Sequence, residues 1–394
     1  MDRLTRLLNA SFRGFGSEPR RRAFGRPSTA CAPTGTDFAV YDTGALPARR
    51  DAQAHLRLFH DRGRIFAACA SFGIASVIAF AGCGVGAGAE PAATFSRKLT
   101  NVDVVMGYVP NIQFAPFYAA IQQGYYKSAG LNVKFNYTTE PNALQLLSNG
   151  SVDFVDSGGD EVLTAGASGL HVKYVLTQYS RFPSALFFLK SSNIKHIADL
   201  KGKTIGVPGD YGASYYGLLA LLAAGGVTSS QVKIEPIGYT QVSEVASGQV
   251  TAAMGYAPNE PLELRSQGKA VGEFDVYHWD NIAGAGLATS NSLIAHKPGL
   301  VRAFVAATLR GMRFALARPG RTFAIAKAFI PDFSNPRLQR QVLNRALVFW
   351  KPAGVALGRM DPKVWNLTEK VLYRFKVISK RVSASAYYTN RFVG

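Results

Sequence analysis

The amino-acid sequence predicts an α/β protein with mainly parallel strands, built as two lobes. Strand-like segments alternate with helical segments from residue 101 onward, and glycine-containing turns separate them. The alternation occurs twice, and the segment Ala198–Lys203 introduces the second set. With 394 residues, of which 47% are hydrophobic, the chain is long enough to bury a large core. Ligands of such sheets bind beyond the carboxyl ends of the strands, so the loops at those ends are the candidate site.

The first set of elements begins with an alternating strand at 101–108, which Pro110 and Asn111 end. The aromatic-rich segment 114–131 is predicted as a helix, because Gly130 lies where a helix-ending glycine belongs. The same patterns predict strands at 131–138, 152–158 and 172–179, and helices at 142–149 and 161–167.

Polar and aromatic side chains recur where these strands end. A single aromatic residue is more often part of the core than of a site, but recurrence at successive strand ends favours a ligand site for the group. The residues concerned are Asn111, Gln113, Phe114 and Phe117 after the first strand, Asp156, Gly158 and Asp160 after the third, and Tyr179 and Arg181 after the fourth.

The clearest strand-turn-helix unit is Ile205–Gly226. A strand at 204–207 breaks at Pro208, and an apolar helix follows until the Gly225-Gly226 pair. The first turn of a helix attracts anions and polar acceptors, so this turn is a candidate ligand cradle, although an ordinary connection fits its spacing equally well. Neither a G-x-G-x-x-G nor a P-loop pattern is present. The cradle residues are Tyr211, Gly212, Ala213, Ser214 and Tyr215.

The second set continues with strands at 232–239 and 251–256, a helix at 241–248 and a loop around Glu260. Pro258 and Pro261 flank Glu260, and we expect them to keep it out of a regular helix. A carboxylate there could accept hydrogen bonds from a ring N–H or an amino group, or it could be a solvated loop acid. The chain then returns through a strand at 286–289 to a long helix at 298–317.

The N-terminal region differs in composition from the rest. Residues 1–64 are rich in Arg, Pro, Gly and Ser, which predicts either a disordered segment or an extension upstream of the true start codon. The segment 65–83 is apolar, follows Arg62 and Arg64, and ends in Phe80-Ala81-Gly82-Cys83. This resembles a bacterial lipoprotein signal with Phe80 in place of the usual Leu, which makes Cys83 the predicted lipidation site and 84–100 a tether.

The alternative for the segment 65–83 is a single transmembrane anchor, although its apolar run is slightly short of the roughly 20 residues that a span needs. Either interpretation places residue 84 onward outside the cytoplasm. The cysteines are Cys31, Cys69 and Cys83, so the globular part has no disulfide framework and no thiolate metal site. Its histidines are scattered, and no metal, cofactor or catalytic arrangement is predicted.

The formal net charge of +19 raises the question of a nucleic-acid partner. From Lys297 onward, 19 basic residues stand against 3 acidic ones, and they alternate with apolar positions in helical patterns. This spacing is typical of solvated helix faces. Since no nucleic-acid-binding motif accompanies the charge, we predict no nucleic-acid partner.

Four segments together resemble a known family. They are GYVPNIQFAPFYAAIQQGYYKSAGLNV, LSNGSVDFVDSGGDEVLTA, HIADLKGKTIGVPGDYGASYYGLLALLAAGGV and SGQVTAAMGYAPNEPLEL. They are similar to the extracytoplasmic solute-binding proteins of ABC importers, in the NMT1/THI5-like branch, over roughly residues 101–330. The resemblance implies a two-lobed periplasmic-binding-protein type II fold with the ligand in the cleft between the lobes. It places lobe 1 at 101–187 plus 287–394 and lobe 2 at 188–286.

The resemblance also implies a small-molecule ligand, closure of the lobes without a chemical step, and ABC permease and ATPase partners. PNIQFAPFY, GDYGASYYG and GYAPNEP are most similar to binders of thiamine pyrimidine precursors and riboflavin. The resemblance implies that one wall of such a site consists of Asn111, Gln113, Phe114 and Phe117, and the far side of Tyr179 and Arg181. A polar tail of the ligand is then held by Gly212, Ala213, Ser214 and Tyr215, and a ring edge is contacted by Tyr256, Asn259 and Glu260.

Two alternatives stay open at this point. The same fold could bind a sulfonate or another small organic anion, which predicts a role for Ser214 or Arg181. The fungal pyrimidine synthase also resembles these binders, but it uses a sacrificial histidine where this chain has Phe114, and a cysteine motif that this chain lacks. The sequence therefore predicts a binding protein and not an enzyme.

Overall fold

The fold is described for residues 98–138 and 140–394 of a computed structural model. The segments predicted at 1–64 and 65–83, the lipidation site Cys83 and residues 84–97 of the tether lie outside these residues. Within the described part, none of the helices combines the length and the apolar character that crossing a membrane requires.

Ten strands form two five-stranded sheets in the described part of the chain. The strands are β1 (Thr100–Met106), β2 (Leu131–Tyr137), β3 (Phe154–Gly158), β4 (Val172–Thr177), β5 (Ser184–Leu189), β6 (Thr204–Val207), β7 (Lys233–Pro236), β8 (Ala252–Tyr256), β9 (Val271–Asp275) and β10 (Ala285–Ser290). The helices are α1 (Ala115–Gln122), α2 (Tyr125–Ser128), α3 (Glu140–Ser148), α4 (Gly159–Ala167), α5 (Gly212–Ala224), α6 (Gln241–Ser247), α7 (Glu260–Ser266), α8 (Asn291–His296), α9 (Pro298–Ala317), α10 (Pro319–Ala326), α11 (Pro336–Trp350) and α12 (Pro362–Arg374).

The two sheets share one topology. The first has the order β2-β1-β3-β10-β4, and the second has the order β7-β6-β8-β5-β9. In each sheet the fourth strand is antiparallel to both neighbours, while the other four strands point the same way. The prediction of mainly parallel strands in two lobes is therefore confirmed, with one returning strand in each sheet.

The returning strands β5 and β10 are where the chain passes from one sheet to the other. The second sheet begins at Ser184 and the first resumes at Ala285, slightly before the predicted lobe boundaries of 187/188 and 286/287. The apolar segment Ser184–Leu189 has a composition that fits either lobe. Its partner strands β8 and β9 lie far away in the sequence, so the local sequence does not show which sheet it joins.

Helices cover both sheets, and the C-terminal helices belong to the first. α1 packs against α9 and α10, and Phe154 of β3 stacks on Phe304 of α9 with ring centroids 4.1 Å apart. Arg302, Arg310 and Arg313 of α9 are exposed, which confirms the predicted solvated basic face. α5 packs against α4 and α12 behind the point where the two sheets meet.

Two predicted elements differ in the structure. The helix predicted from Phe114 to Leu131 is divided into α1 and α2, because Gly124 adopts a left-handed conformation with φ +67°. Glu260 was expected outside a regular helix, but it is the first residue of α7. Proline is tolerated in a first helical turn, where its missing N–H has no partner to lose, so Pro261 starts this helix instead of preventing it.

Candidate ligand-binding cleft

A cleft of about 780 Å³, part of it open to solvent, lies where strands of both sheets end. It is lined by Gly107, Tyr108, Asn111, Gln113, Phe114, Asp156, Tyr179, Pro208, Tyr211, Gly212, Ala213, Ser214, Tyr239, Gln241, Gly255, Tyr256, Asn259, Glu260 and Ala285. Most of the predicted site residues are therefore brought together here, and their role in binding stays a prediction.

The wall on the first sheet is fixed by hydrogen bonds around Gln113. Asn111 caps the short 3-10 helix Ile112–Phe114, since its Oδ1 accepts from the Gln113 N–H at 3.0 Å. The Gln113 side-chain carbonyl accepts from the Tyr179 hydroxyl at 3.0 Å, and its backbone carbonyl accepts from the Gln178 amide at 2.9 Å. All of these groups are buried or nearly so, which makes this wall a preorganised surface.

Asp156 lies on β3, between Met106 of β1 and Leu287 of β10, and its side chain faces the cleft. It is 6% exposed, and its Oδ1 atom has no hydrogen-bond partner among the described residues. Burial, and secondly the nearby Glu161, raises the pKa of Asp156 to about 8. Because side chains alternate along a strand, Ser157 faces the other way, where its hydroxyl donates to Glu161 at 2.9 Å.

The wall on the second sheet is the turn between β6 and α5. Tyr211 has an extended backbone and precedes Gly212. The φ of Gly212 is +71°, in the left-handed region, which glycine adopts without strain because it has no Cβ. Ala213 and Ser214 follow in the first helical turn and are buried in the cleft wall. The predicted strand-turn-helix unit is confirmed, and its helix start lies at the cleft.

Glu260 closes the cleft from α7, and its carboxylate is held by its own loop. Oε2 accepts from the Tyr256 N–H at 2.7 Å, and Oε1 accepts from the Asn259 amide at 3.2 Å. Gly255 leaves room for this carboxylate, because a Cβ there would lie 2.6 Å from Oε2. Burial raises the pKa of Glu260 above its ordinary value. Glu260 is thus half-buried at the cleft and hydrogen-bonded within its own loop, and its role in binding stays a prediction.

Tyrosine rings from the two sides meet across the cleft. Tyr108 follows β1 and Tyr239 follows β7, with ring centroids 5.4 Å apart. Tyr179 and Tyr256 form a second, edge-on pair at 6.1 Å. Sequence reasoning missed Tyr108, Tyr239 and Gln241 as site residues, although the first two are the last residues of predicted strands, the same signal that identified Tyr179.

A second, more polar cavity of about 960 Å³, largely open, adjoins the cleft beyond the Tyr108–Tyr239 pair. It lies between α6 and α7 and shares Gln241, Asn259 and Glu260 with the cleft. Its further polar lining consists of Thr240, Ser243, Ser247, Glu263 and Gln267. The site is thus an aromatic inner compartment joined to a hydrophilic outer one.

Five predicted site residues do not line the cleft. Phe117 is a core residue packed edge-on against Phe135, with centroids 6.1 Å apart. Arg181 points away, and its guanidinium donates to the carbonyl oxygens of Val348 at 2.8 Å and Lys351 at 3.1 Å. Tyr215 lies on α5 beside Tyr216 and not on the cleft wall.

Gly158 and Asp160 serve the junction of β3 and α4 instead of the cleft. The Gly158 N–H donates to Glu161 Oε2 at 3.2 Å. Asp160 is fully buried, and its Oδ1 accepts from the Glu161 N–H at 3.0 Å. Both residues lie at a strand end in the sequence, but α4 begins directly there, and the structure buries Asp160 in the core instead of placing it on the cleft wall.

The cleft wall contains carboxyl groups and no basic side chain among its described lining residues. Its lining includes Asp156 and Glu260, and none of its described lining residues is Lys, Arg or His. Within residues 98–138 and 140–394, no group of three His, Cys, Asp or Glu side chains could hold a metal ion. The wall therefore offers rings, amides, hydroxyls and carboxyl groups to a ligand.

Two sheets of this topology with a cleft between them form the two-lobed fold of periplasmic binding proteins. The crystal structure of the periplasmic aliphatic sulphonate binding protein SsuA from Escherichia coli superimposes with a TM-score of 0.59. It is 15% identical, and the alignment covers 73% of this chain and 96% of that protein. At this identity the likeness shows the fold, which confirms the predicted fold class.

The family model described as NMT1/THI5 like matches residues 111–322, and the chain belongs to this family. The riboflavin-binding protein RibY of Chloroflexus aurantiacus is 41% identical over 313 residues, which cover 77% of this chain and 89% of that protein. A 4-amino-5-hydroxymethyl-2-methylpyrimidine phosphate synthase of Legionella pneumophila is 25% identical over 306 residues, or 76% of this chain and 94% of that protein. Family membership, predicted from four sequence segments, is confirmed.

Proposed function

We propose that this protein is the extracytoplasmic solute-binding component of an ABC importer and that it binds riboflavin or a closely related flavin in the cleft. The observation that carries the proposal is the composition of the cleft wall, with four tyrosines in cross-cleft pairs, two carboxyl groups and no cationic side chain among its described lining residues. Such a wall fits a flat, uncharged heterocycle. Binding then consists of lobe closure and needs no chemical step.

The tyrosines favour a flat ring over an aliphatic ligand. Tyr108 and Tyr239 come from opposite sides of the cleft, and Tyr179 and Tyr256 do so again. Aromatic faces contribute both buried area and preferred stacking geometry, which suits a fused-ring ligand of the flavin type. The 41% identity to a protein named as riboflavin-binding supports the same class.

The lack of a cationic side chain in the described cleft wall disfavours the alternative of a sulfonate or another small organic anion. A buried anion needs a partner for its charge, and no guanidinium or ammonium group is among the described lining residues. Arg181, the cation that an anion site was expected to use, is engaged by two backbone carbonyls outside the cleft. A neutral ligand meets neither difficulty.

The outer compartment gives a place for a polar chain on the ring. Thr240, Ser243, Ser247 and Gln267 line it directly beyond the Tyr108–Tyr239 pair. The three hydroxyl groups donate to backbone carbonyls, and their oxygens keep lone pairs that can accept hydrogen bonds from a ligand. A ribityl chain carries several hydroxyl groups that exchange hydrogen bonds with such side chains. A thiamine pyrimidine precursor has no chain of this length, so the two-compartment shape favours the flavin.

We propose a binding protein and not an enzyme, although one relative is named as a synthase. Phe114 lines the cleft where the resemblance places the histidine that the fungal synthase consumes, and a phenyl ring offers no nitrogen for that chemistry. The proposal also includes an export signal with lipidation at Cys83, attachment to the membrane through that lipid, and ABC permease and ATPase partners.

The test is a titration of the purified full chain with riboflavin, followed by calorimetry and by quenching of flavin fluorescence. We expect saturable 1:1 binding and recovery of unchanged riboflavin after denaturation. Hydroxymethylpyrimidine, formylaminopyrimidine and taurine are titrated in parallel, and mass spectrometry identifies any small molecule that the purified protein retains. Tighter binding of a pyrimidine or of taurine than of riboflavin would contradict the flavin assignment.

A further inference from the structure

Asp156 is an unusual group in the cleft wall, because it is buried and its own lobe does not satisfy it. Its side chain is 6% exposed and lines the cleft, yet no described residue donates a hydrogen bond to Oδ1. A buried polar atom without a partner is costly, so such atoms are rare in folded proteins and need an explanation. A hydrogen-bonding group of a ligand in the cleft could be the partner of Asp156 Oδ1.

Glu260, the other carboxyl group of the cleft, does not invite a partner in this way. Both of its oxygens accept hydrogen bonds from its own loop, from the Tyr256 N–H and from the Asn259 amide. Sequence reasoning gave Glu260 the role of contacting the ring edge. These hydrogen bonds give Glu260 a role in building the wall, and Asp156 is the carboxyl group with an oxygen that no described residue contacts.

The surroundings of Asp156 favour its protonated form. Its strand lies between β1 and β10 in the first sheet, and the acidic group that acts on it is Glu161 from α4. Burial and this neighbour raise the pKa of Asp156 to about 8, so the group carries its proton at neutral pH. A neutral carboxylic acid presents an O–H donor and a carbonyl acceptor side by side.

We infer that Asp156 binds the ring edge of the ligand through two hydrogen bonds, with its O–H donating to a ring carbonyl and its own carbonyl accepting from the adjacent ring N–H. The class of ligand is then a flat heterocycle with a lactam or imide edge. This inference rests on the proposed function, because the flavin ring system has such an edge, with the N3–H group between two carbonyls. No proton is transferred, and only hydrogen bonds form.

The experiment compares riboflavin with N3-methylriboflavin, which lacks the N–H donor, on the full chain and on two variants. Asp156→Ala removes both hydrogen-bonding atoms, whereas Asp156→Asn keeps one donor and one acceptor on a neutral group of nearly the same shape. Fluorescence quenching gives the dissociation constants at pH 7. Thermal unfolding of each variant shows that it is folded.

We expect D156A to bind riboflavin about 10- to 100-fold more weakly than the wild type, and D156N to bind it within about 3-fold of the wild type. N3-methylation should weaken binding to the wild type at least about 10-fold and leave the affinity for D156A unchanged, since the donor it removes has no partner there. In the control variant Glu260→Gln, both ligands should lose affinity alike, so that their ratio stays that of the wild type.

Three results would overturn the inference while the proposed function stands. The first is that the wild type binds both ligands with equal affinity, and the second is that D156A lowers the affinity for both ligands by the same factor. The third is that D156N loses as much riboflavin affinity as D156A, which would show that a negative charge is needed. Wild-type protein that does not bind riboflavin at all would instead overturn the proposed function, and this inference with it.

Discussion

The two walls of the cleft each carry one carboxyl group, and the structure treats them in opposite ways. Glu260, on the second sheet's side, accepts hydrogen bonds from Tyr256 and Asn259 of its own loop. Asp156, on the first sheet's side, lies on a central strand with Oδ1 unpartnered among the described residues. One acid therefore stabilises its own loop, and the other is the acid that we propose as the ligand's partner.

This difference shows how to separate structural from functional polar groups in a binding cleft. Both acids line the cleft, and both have a raised pKa. What distinguishes them is whether donors from the same lobe reach their oxygens. Each prediction below changes one side of the comparison and measures stability separately from ligand affinity.

The largest expected effect is the pH dependence of stability in Asp156→Asn. The unfolded-state pKa of an aspartate is near 3.9, and burial raises that of Asp156 to about 8 in the folded protein. Between these values the folded chain holds a proton that the unfolded chain releases, so the free energy of unfolding falls as the pH rises, by about 1.4 kcal/mol per pH unit. The titratable groups that interact electrostatically with Asp156 are Glu161, Tyr118, Tyr174 and Tyr179.

D156N has no proton to hold, so its stability relative to the wild type should increase by up to about 4 kcal/mol between pH 5 and pH 8. Urea unfolding of the ligand-free full chain at pH 5, 6, 7 and 8 measures this difference. The effect should level off above pH 8, where the folded wild type also ionises. A difference that is the same at pH 5 and pH 8 would show that Asp156 is not held protonated.

The second prediction concerns Glu260→Ala, which removes the acceptor for two donors at once. The Tyr256 N–H and the Asn259 amide then lose their partner, and we expect the free energy of unfolding to fall by about 2 kcal/mol. Riboflavin affinity should fall as well, because the loop that carries Tyr256 loosens. Glu260→Gln keeps one acceptor oxygen and should lose about half as much stability, whereas equal losses in both variants would point to charge.

Strands and helices with clear local signals were predictable from the sequence. β6 and α9 begin and end at the predicted residues, because proline and glycine mark their ends and the side chains between them keep one pattern. The break at Gly124 was not predictable, since the apolar pattern continues across it and only the left-handed φ of +67° shows that α1 stops. The start of α7 at Glu260 was not predicted, because Pro258 and Pro261 on both sides of Glu260 are typical of a loop as well as of a first helical turn.

The sequence predicted which strand-end loops form the site, but it did not predict which of their polar side chains have hydrogen-bond partners within the protein. Strand ends identified Asn111, Gln113 and Tyr179, which do line the cleft. The same rule selected Asp160, which α4 turns into the core. The donors to Glu260 come from its own loop, whereas the strands on both sides of Asp156 lie far away in the sequence, so the contrast between the two acids required the three-dimensional structure.

The third prediction tests the ring pair that joins the two walls. Tyr108→Ala and Tyr239→Ala each remove one ring of a pair whose centroids lie 5.4 Å apart. We expect each variant to bind riboflavin about 5- to 10-fold more weakly, equivalent to about 1 kcal/mol, while Tyr108→Phe keeps most of the affinity. Calorimetry of the single and double variants measures their coupling. Strictly additive losses would mean that the two rings do not act together on the ligand.

The fourth prediction concerns the support of the first wall. Tyr179→Phe removes the hydroxyl that donates to Gln113 at 3.0 Å and should lower the free energy of unfolding by about 1 kcal/mol, with a weaker effect on riboflavin affinity. Tyr174→Phe is the matched control, because it removes a buried hydroxyl that donates to Gly284 at 2.9 Å outside the cleft. It should lose similar stability and no affinity; an equal affinity loss in both variants would argue against a specific role for the Gln113 contact.

The smallest expected effect, in Arg181→Ala, separates the flavin proposal from the anion alternative. Its guanidinium donates to the carbonyl oxygens of Val348 and Lys351 on the surface and not into the cleft. We therefore expect riboflavin affinity to change by less than about 2-fold and stability by less than about 1 kcal/mol. An anion site that depends on Arg181 would lose most of its affinity in this variant. Titration of R181A with riboflavin and with taurine decides between the two, since only the anion alternative requires this cation to reach the ligand.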